Sequence, residues 1–397
     1  MIDNKLNTFN KRRDFLHFSF ICVLIILLAI TLFVRQILLV VYGTNEFASL
    51  LFAGLFIIAF MLGLWGSFVG KINTIELLGY AAIILLGIFI AFNDKIAEVK
   101  STLAIVISVF VLSLFRKDGG AYNVEKYYAT MMTIASICLL LTMLLGRNWN
   151  DGRLLYYTDN GNQSALLLMC YFLNIYIFRV NSKNKKRDFL YNILMIGLFL
   201  GIISTNSRTA LIAILVLISL FLLGKLKIKA LKRITYILLF VAFFLPFIIS
   251  IIMTVIPKDF TLFGQTIYTG REIVWANVTK EILINPFKIH VGEIVPTTGM
   301  EYYGEGLNAH NVFLEISWRF SPFVAILFFT MFYKTIKYII KMASELTIKT
   351  ILPLLCSVFI HMTFEASLFV AALDYSLLIF LPIIILVSKD KVRKNEL

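Results

Sequence analysis

Three residues in this chain stand where an apolar sequence leaves them little polar company: Arg208, Arg271 and His310. Their types already define a chemistry. An imidazole with an ordinary pKa near 6.5 can take a proton from a hydroxyl without a metal. A guanidinium offers forked donors that suit a phosphate or diphosphate. Two arginines and one histidine therefore suit a hydroxyl nucleophile attacking a substrate whose leaving group is a large anion. Arg208, in Thr205-Asn206-Ser207-Arg208-Thr209, sits between two apolar runs with almost no loop between them. An ionised group at membrane depth is costly unless paired or solvated, so it marks a functional position or a side chain snorkelling to the headgroups. Arg271 falls in Thr269-Gly270-Arg271-Glu272, which reads as a capping box, with Thr269 and Glu272 each satisfying the other's backbone N–H. It would occupy the first turn of a helix, where free N–H groups and the dipole favour an anion; the alternative is a hydrated loop arginine. His310-Asn311 ends a long polar stretch just before an apolar run, as a base or as a structural histidine.

Other polar pairs follow by spacing. Glu315 and Arg319 are four apart on the next helix and would pair, or Glu315 could turn back to His310. His361 and Glu365, also four apart, either face a common cavity or satisfy each other. Several motifs are missing: a zinc-protease His/Glu pair, an outer-face Asp-x-Asp, a phosphate loop and GxSxG. No metal and no cofactor is called for.

The elements that must hold these residues are membrane spans. Of 397 residues 60% are hydrophobic and 15% charged, against roughly a quarter charged in soluble domains. A hydrocarbon core of about 30 Å needs roughly 17–25 apolar helical residues per crossing. Twelve stretches qualify, near 17–40, 48–69, 74–92, 99–115, 127–145, 164–180, 188–206, 208–224, 234–255, 311–333, 348–364 and 367–387. The expected fold is thus all-α and polytopic, about 12 transmembrane helices in a single integral membrane domain over 1–397. One large loop, 256–310, carries an amphipathic helix with Val274, Trp275, Val278, Ile282 and Leu283 on one side. That helix is expected to lie along the membrane surface, with Trp149, Trp275 and Trp318 near the same interface.

Charge sets the orientation. With the amino terminus inside, 26 of the 37 Lys and Arg fall on the tails and alternate loops that would be cytoplasmic, leaving 11 elsewhere. The formal +14 is therefore a topological signal, not a nucleic-acid footprint, and both termini are expected in the cytoplasm with the 256–310 loop outside. The first span reads as an uncleaved signal-anchor, and Cys22, Cys138, Cys170 and Cys356 all fall within spans.

The order of motifs now carries a resemblance. Gly161-Asn162-Gln163 opens a span, Ser207-Arg208 precedes another, Gly270-Arg271 is followed by Trp275, and a long loop ends in His310-Asn311-Val312-Phe313-Leu314. This resembles the O-antigen ligase and O-antigen polymerase family of bacterial membrane glycosyltransferases. The resemblance implies a GT-C-like helical enzyme of the cytoplasmic membrane, with its active site on the outer face, using polyprenyl-diphosphate-linked oligosaccharides without a metal. It implies Arg208 and Arg271 as diphosphate-binding residues and His310 as the base, with Asn162, Asn311, Glu315, His361 and Glu365 in supporting positions. The glycine-rich stretch that often precedes the histidine survives here only as Gly304-Glu305-Gly306. Tyr156, Tyr157, Tyr268, Tyr302 and Tyr303 are available to stack on sugars or to anchor at the surface. Polymerase of a capsule or exopolysaccharide is the preferred reading. A ligase using another acceptor, or a flippase for the same lipid-linked oligosaccharide, are the alternatives. A chain-length regulator or flippase is the expected protein partner.

Overall fold

Two helices that are apolar all round organise the structure, a computed structural model that describes residues 125–144, 149–150, 153–154, 161–222, 227–255, 261–262, 265–266, 271–288, 290, 295, 309–366 and 373–395. The first is α2 (Gly161–Asn181), in which every residue from Ser164 to Phe178 is buried. The second is α9 (Glu345–Phe364), buried at all but one position from Thr350 to Thr363. Around them stand α1 (Glu125–Leu144), α3 (Lys185–Ser204), α4 (Arg208–Leu222), α5 (Ile228–Val255), α8 (Pro322–Met342) and α10 (Leu373–Asn395). Between α5 and α8 lie α6 (Arg271–Ile284) and α7 (Val312–Phe320). Two-residue antiparallel ladders pair β1 (Trp149–Asn150) with β2 (Arg153–Leu154), and β3 (Thr261–Leu262) with β4 (Gln265–Thr266).

Among the described residues the fold is all-α, with ten helices, six of them long and apolar enough to cross a membrane. The outer helices bury one face and leave the other apolar: Phe189, Ile193, Ile196, Leu200 and Ile203 line the exposed side of α3. An apolar outside is the signature of a bilayer solvent. Where lipid is as apolar as the partner helix, close packing and hydrogen bonds do the associating. Gly197 and Gly201 serve the first. A Cβ at Gly197 would come within 2.8 Å of Leu140, and one at Gly201 within 3.2 Å of Leu168 and Met143, so the pair lets α3 close on α1 and α2.

Two asparagines serve the second, each at a proline. Pro382 lies inside α10 and has no N–H, so the carbonyl four residues back, Leu378, lacks its helical donor. Asn174 of α2 donates its Nδ2 to that carbonyl at 2.7 Å and accepts from the Tyr128 hydroxyl at 2.9 Å, joining α1, α2 and α10. Pro246 inside α5 likewise orphans Ala242, and Asn311 Nδ2 donates to the Ala242 carbonyl at 2.8 Å. A third proline marks a break. The expected span 311–333 is two helices: α7 has nine residues, about 14 Å at 1.5 Å per residue, too short to cross. Ser321, at φ 108°, ends α7 and caps α8, whose first residue is Pro322. Proline suits a helix's first turn and disfavours helix in the residue before it, so the crossing starts at Pro322 and runs to Met342. The stretch read as 208–224 is helical over Arg208–Leu222, also short of a full crossing. The first four expected spans lie outside the described residues, as do Thr269, Gly304–Gly306 and the five tyrosines named above.

The helices alternate in direction, which gives the bundle two chemically different ends. One end gathers Arg179, Lys183, Lys185, Lys186, Arg187 and Lys349. It is tied by Arg179–Asp188 at 3.3 Å, Lys389–Glu125 at 2.7 Å and Ser344 N–H to Asp390 at 2.7 Å. Asn184 caps α3 there, accepting from Lys186 N–H at 3.0 Å. The opposite end collects the start of α2, the turn before α4, the end of α9 and the start of α6.

Candidate functional site

Glu365 lies at the centre of that opposite end. It caps the C-terminus of α9 in extended conformation, its N–H bonded to the His361 carbonyl at 2.9 Å. The helix ends there because the chain turns out of α geometry, and the turn aims the carboxylate sideways among three other elements. Oε1 accepts from Asn162 Nδ2, in the first turn of α2, at 2.8 Å. The same oxygen accepts from Arg271 Nη2, the first residue of α6, at 2.9 Å. Oε2 faces His310 Nδ1 at 3.7 Å. The carboxylate is 3% exposed, whereas Arg271 and His310 keep 27% and 18% of their side-chain surface open. The acid is thus sealed in, and Arg271 and His310 reach the surface.

Burial works to raise the pKa of Glu365. The close approach of His310 and its electrostatic influence, with those of His361 and Arg271, outweigh it, and the carboxyl is held below its ordinary value. Glu365 is therefore an anion at neutral pH, placed between a permanent cation and a titratable one.

His310 itself is set by its backbone. It takes the left-handed conformation, φ 50°, which costs a non-glycine residue about 1–2 kcal/mol and needs support. The support is a clamp on the preceding residue. Trp275 Nε1 donates to the Ala309 carbonyl at 2.7 Å, and the Ala309 N–H donates to the carboxylate of Glu315. Glu315 is fully buried and its other oxygen accepts from Arg319 Nε at 2.6 Å. Both readings of Glu315 meet here: it pairs with Arg319, and it acts on His310 through the backbone, not through the ring.

Asn311 has a structural place. Its Oδ1 caps α7 by accepting from Leu314 N–H at 2.9 Å, while Nδ2 donates to Ala242 and, at 3.1 Å, to the Thr363 carbonyl near the end of α9. It holds α5, α7 and α9 together beside His310. His361 is fully buried one turn before Glu365, and neither ring nitrogen has a hydrogen-bond partner among the described residues. Arg208 is the first residue of α4, which packs on α9 and α2, so it belongs to the same end. It is exposed, and among the described residues no acid pairs with it. Ser207, just before it, is buried, and Asn206 makes the tight turn from α3 at φ 57°.

The α6 helix departs from expectation in one respect. It runs about four turns as its pattern indicates, but Val274, Trp275, Val278 and Ile282 are buried against α5 and α7 rather than laid on a membrane surface. Leu283, read as part of the same face, is exposed. Trp318 is buried as well and stacks on His290 with ring centroids 3.5 Å apart, so neither indole stands free at an interface. Protein atoms supply the apolar surround that the interface was expected to give.

The structure thus brings Asn162, Arg271, His310 and Glu365 into one contact group, with His361 behind it. Sequence reasoning placed Glu365 only as a support, and nothing local marks it as the hub: Asn162 is 203 residues away in the chain and Arg271 is 94. Among the described residues no three His, Cys, Asp or Glu side chains are grouped to hold a metal ion. No protein-family model, no curated protein and no solved structure matches this chain.

Proposed function

We propose that this chain is a membrane glycosyltransferase that joins polyprenyl-diphosphate-linked oligosaccharide repeat units into a surface polysaccharide. The observation that supports this most is the meeting of Arg271, His310 and Glu365 at the end of the bundle opposite the basic loops. By the positive-inside bias that end is the outer face of a bacterial cytoplasmic membrane, where the lipid-linked donor would be consumed.

The donor's lipid tail lies among the helices and its diphosphate sits at Arg271 and Arg208. Each arginine opens a helix, so the helix dipole adds to its charge. With Nδ1 turned to Glu365, Nε2 of His310 is the nitrogen that takes the acceptor proton. The acceptor oxygen forms its bond to the anomeric carbon as the carbon–oxygen bond to the diphosphate breaks. The bonding pair leaves with the polyprenyl diphosphate, and the proton moves to His310. Stabilising the charge on the leaving group is worth on the order of 3 kcal/mol per donor, and general-base catalysis about 10²- to 10⁴-fold.

The deciding experiment supplies purified protein with lipid-diphosphate repeat units and measures glycan length. Longer glycan lost in His310→Ala is the expected result. Transfer to a different acceptor without elongation would identify a ligase, and movement across vesicles at constant length a transporter.

A further inference from the structure

Glu365 is shared unequally by Arg271 and His310. Its contact with Arg271 is a hydrogen bond of 2.9 Å, and its contact with His310 Nδ1, at 3.7 Å, is beyond hydrogen-bond length. The carboxylate occupies the arginine that the functional reading above assigns to an anion. A diphosphate carries more charge than a carboxylate and can take a guanidinium through two parallel bonds, so it competes for Arg271 from the exposed side.

We propose that Glu365 is a positioning residue coupling donor to base: an arriving diphosphate takes Arg271 from the carboxylate, which then closes on His310 Nδ1. The inference rests on the glycosyltransferase reading and deepens it. Asn162 supplies the pivot, since its 2.8 Å bond to Oε1 comes from α2 and does not depend on Arg271. Among the described residues the groups that face Glu365 come from four places. Arg271 comes from α6, His310 from the residue pair before α7, His361 from its own helix, and Asn162 adds a neutral amide. Once Arg271 turns to the donor, His310 is the neighbour able to answer the buried carboxylate by taking a proton, and it does so at the surface where the acceptor arrives. The base is then strong only when a donor is seated, which keeps water from being activated in an empty site.

The test follows His310 directly. The chain has four histidines, so labelling their ring carbons gives an NMR titration in which His310 is assigned by its loss in His310→Gln. Two perturbations are compared, saturating undecaprenyl diphosphate on the wild type and the ligand-free Arg271→Gln variant. Each is expected to raise the His310 midpoint by about one unit, a tenfold gain in proton affinity. In the Glu365→Gln background, including the double variant, both rises should shrink to a small remainder. Equal rises with and without Glu365 would show that charge acts on His310 without passing through the carboxylate, and would overturn the coupling alone. No rise in Arg271→Gln would overturn it too. Failure of undecaprenyl diphosphate to bind the wild type would overturn the functional reading together with the coupling.

Discussion

The side-chain amide of Asn311 donates to the backbone carbonyl of Ala242, the one acceptor in α5 that Pro246 deprives of its helical partner. The bond mends a proline kink with a residue from another helix, and it places the chain immediately after His310. Asn174 does the same for Leu378, below Pro382. In a bilayer neither carbonyl has water to turn to, so these two asparagines are structural requirements of the prolines.

Asn311→Ala should therefore lower stability, not merely activity. An orphaned buried carbonyl costs about 1–3 kcal/mol, and here Ala242 and Thr363 lose their donor together while α7 loses its cap. Asn311→Asp keeps the cap and removes the donors. A melting temperature in detergent that falls for both variants, further for the alanine, is the expected outcome. An unchanged melting temperature would place Asn311 in the chemistry instead.

The bond network on the other side of the bundle gives a parallel case. Asn174→Leu leaves the Leu378 carbonyl and the Tyr128 hydroxyl buried without partners. Adding Tyr128→Phe to that variant removes one of the two orphans. The double variant is expected to melt above Asn174→Leu and below the wild type, which a thermal denaturation series resolves.

Trp275→Phe tests the clamp on His310 without emptying the small core that Trp275 shares with Val278, Leu314 and Trp318. Phenylalanine keeps most of the apolar contact and loses the Nε1–H bond to Ala309. A left-handed residue released from such a clamp drifts from its productive place, and small displacements of a catalytic group cost on the order of 10²-fold. Elongation in the assay above should fall by about that factor while the protein melts within a few degrees of the wild type. A rate within twofold would assign the positioning to Glu315 alone.

How much of this was legible beforehand follows the range of the interactions. Arg271 at a helix start, His310 at a loop end and the pairing of Glu315 with Arg319 are local features, set by residue type and spacing of four or fewer. The hub at Glu365 is not local: it exists because α2, α6 and α9 end at one level, and a single chain carries no mark of that. The break at Ser321-Pro322 lay in view as a helix-start signal. It was overridden by the apolar run from Phe323 to Phe332, which continues the pattern of α7 without interruption. The burial of α6 escaped for a third reason. An apolar helix face fits protein and lipid equally well, and only the packing of α5 and α7 decides between them.

The two arginines should separate by stability. Arg208 is exposed, so Arg208→Ala is expected to abolish elongation and leave the melting temperature where it was. Arg271→Ala strips a buried carboxylate of its hydrogen-bonded cation. Breaking such a pair costs about 3–5 kcal/mol when fully buried, and the 27% exposure of Arg271 puts the loss at or below the lower figure. Equal melting temperatures for the two variants would mean that Asn162 and His310 hold Glu365 unaided.

Acid provides the last test, because Glu365 titrates in a known direction. Its pKa in the folded protein is held below the ordinary value of 4.5 by His310, His361 and Arg271, against the opposing effect of burial. A carboxyl whose folded pKa is lowered binds its proton more readily in the unfolded chain. Its contribution to stability is thus fully present above about pH 4.5 and is lost as pH falls through the lower, folded value. Glu365→Gln cannot titrate and keeps a constant, smaller contribution. The wild type should melt above Glu365→Gln at pH 6 to 7, and the gap should narrow steadily below about pH 4.5. A gap that widened toward acid would mean that the carboxyl gains its proton more easily folded than unfolded, in which case burial outweighs the influence of His310, His361 and Arg271, and the ion pair with Arg271 is not what anchors α6 to the end of α9.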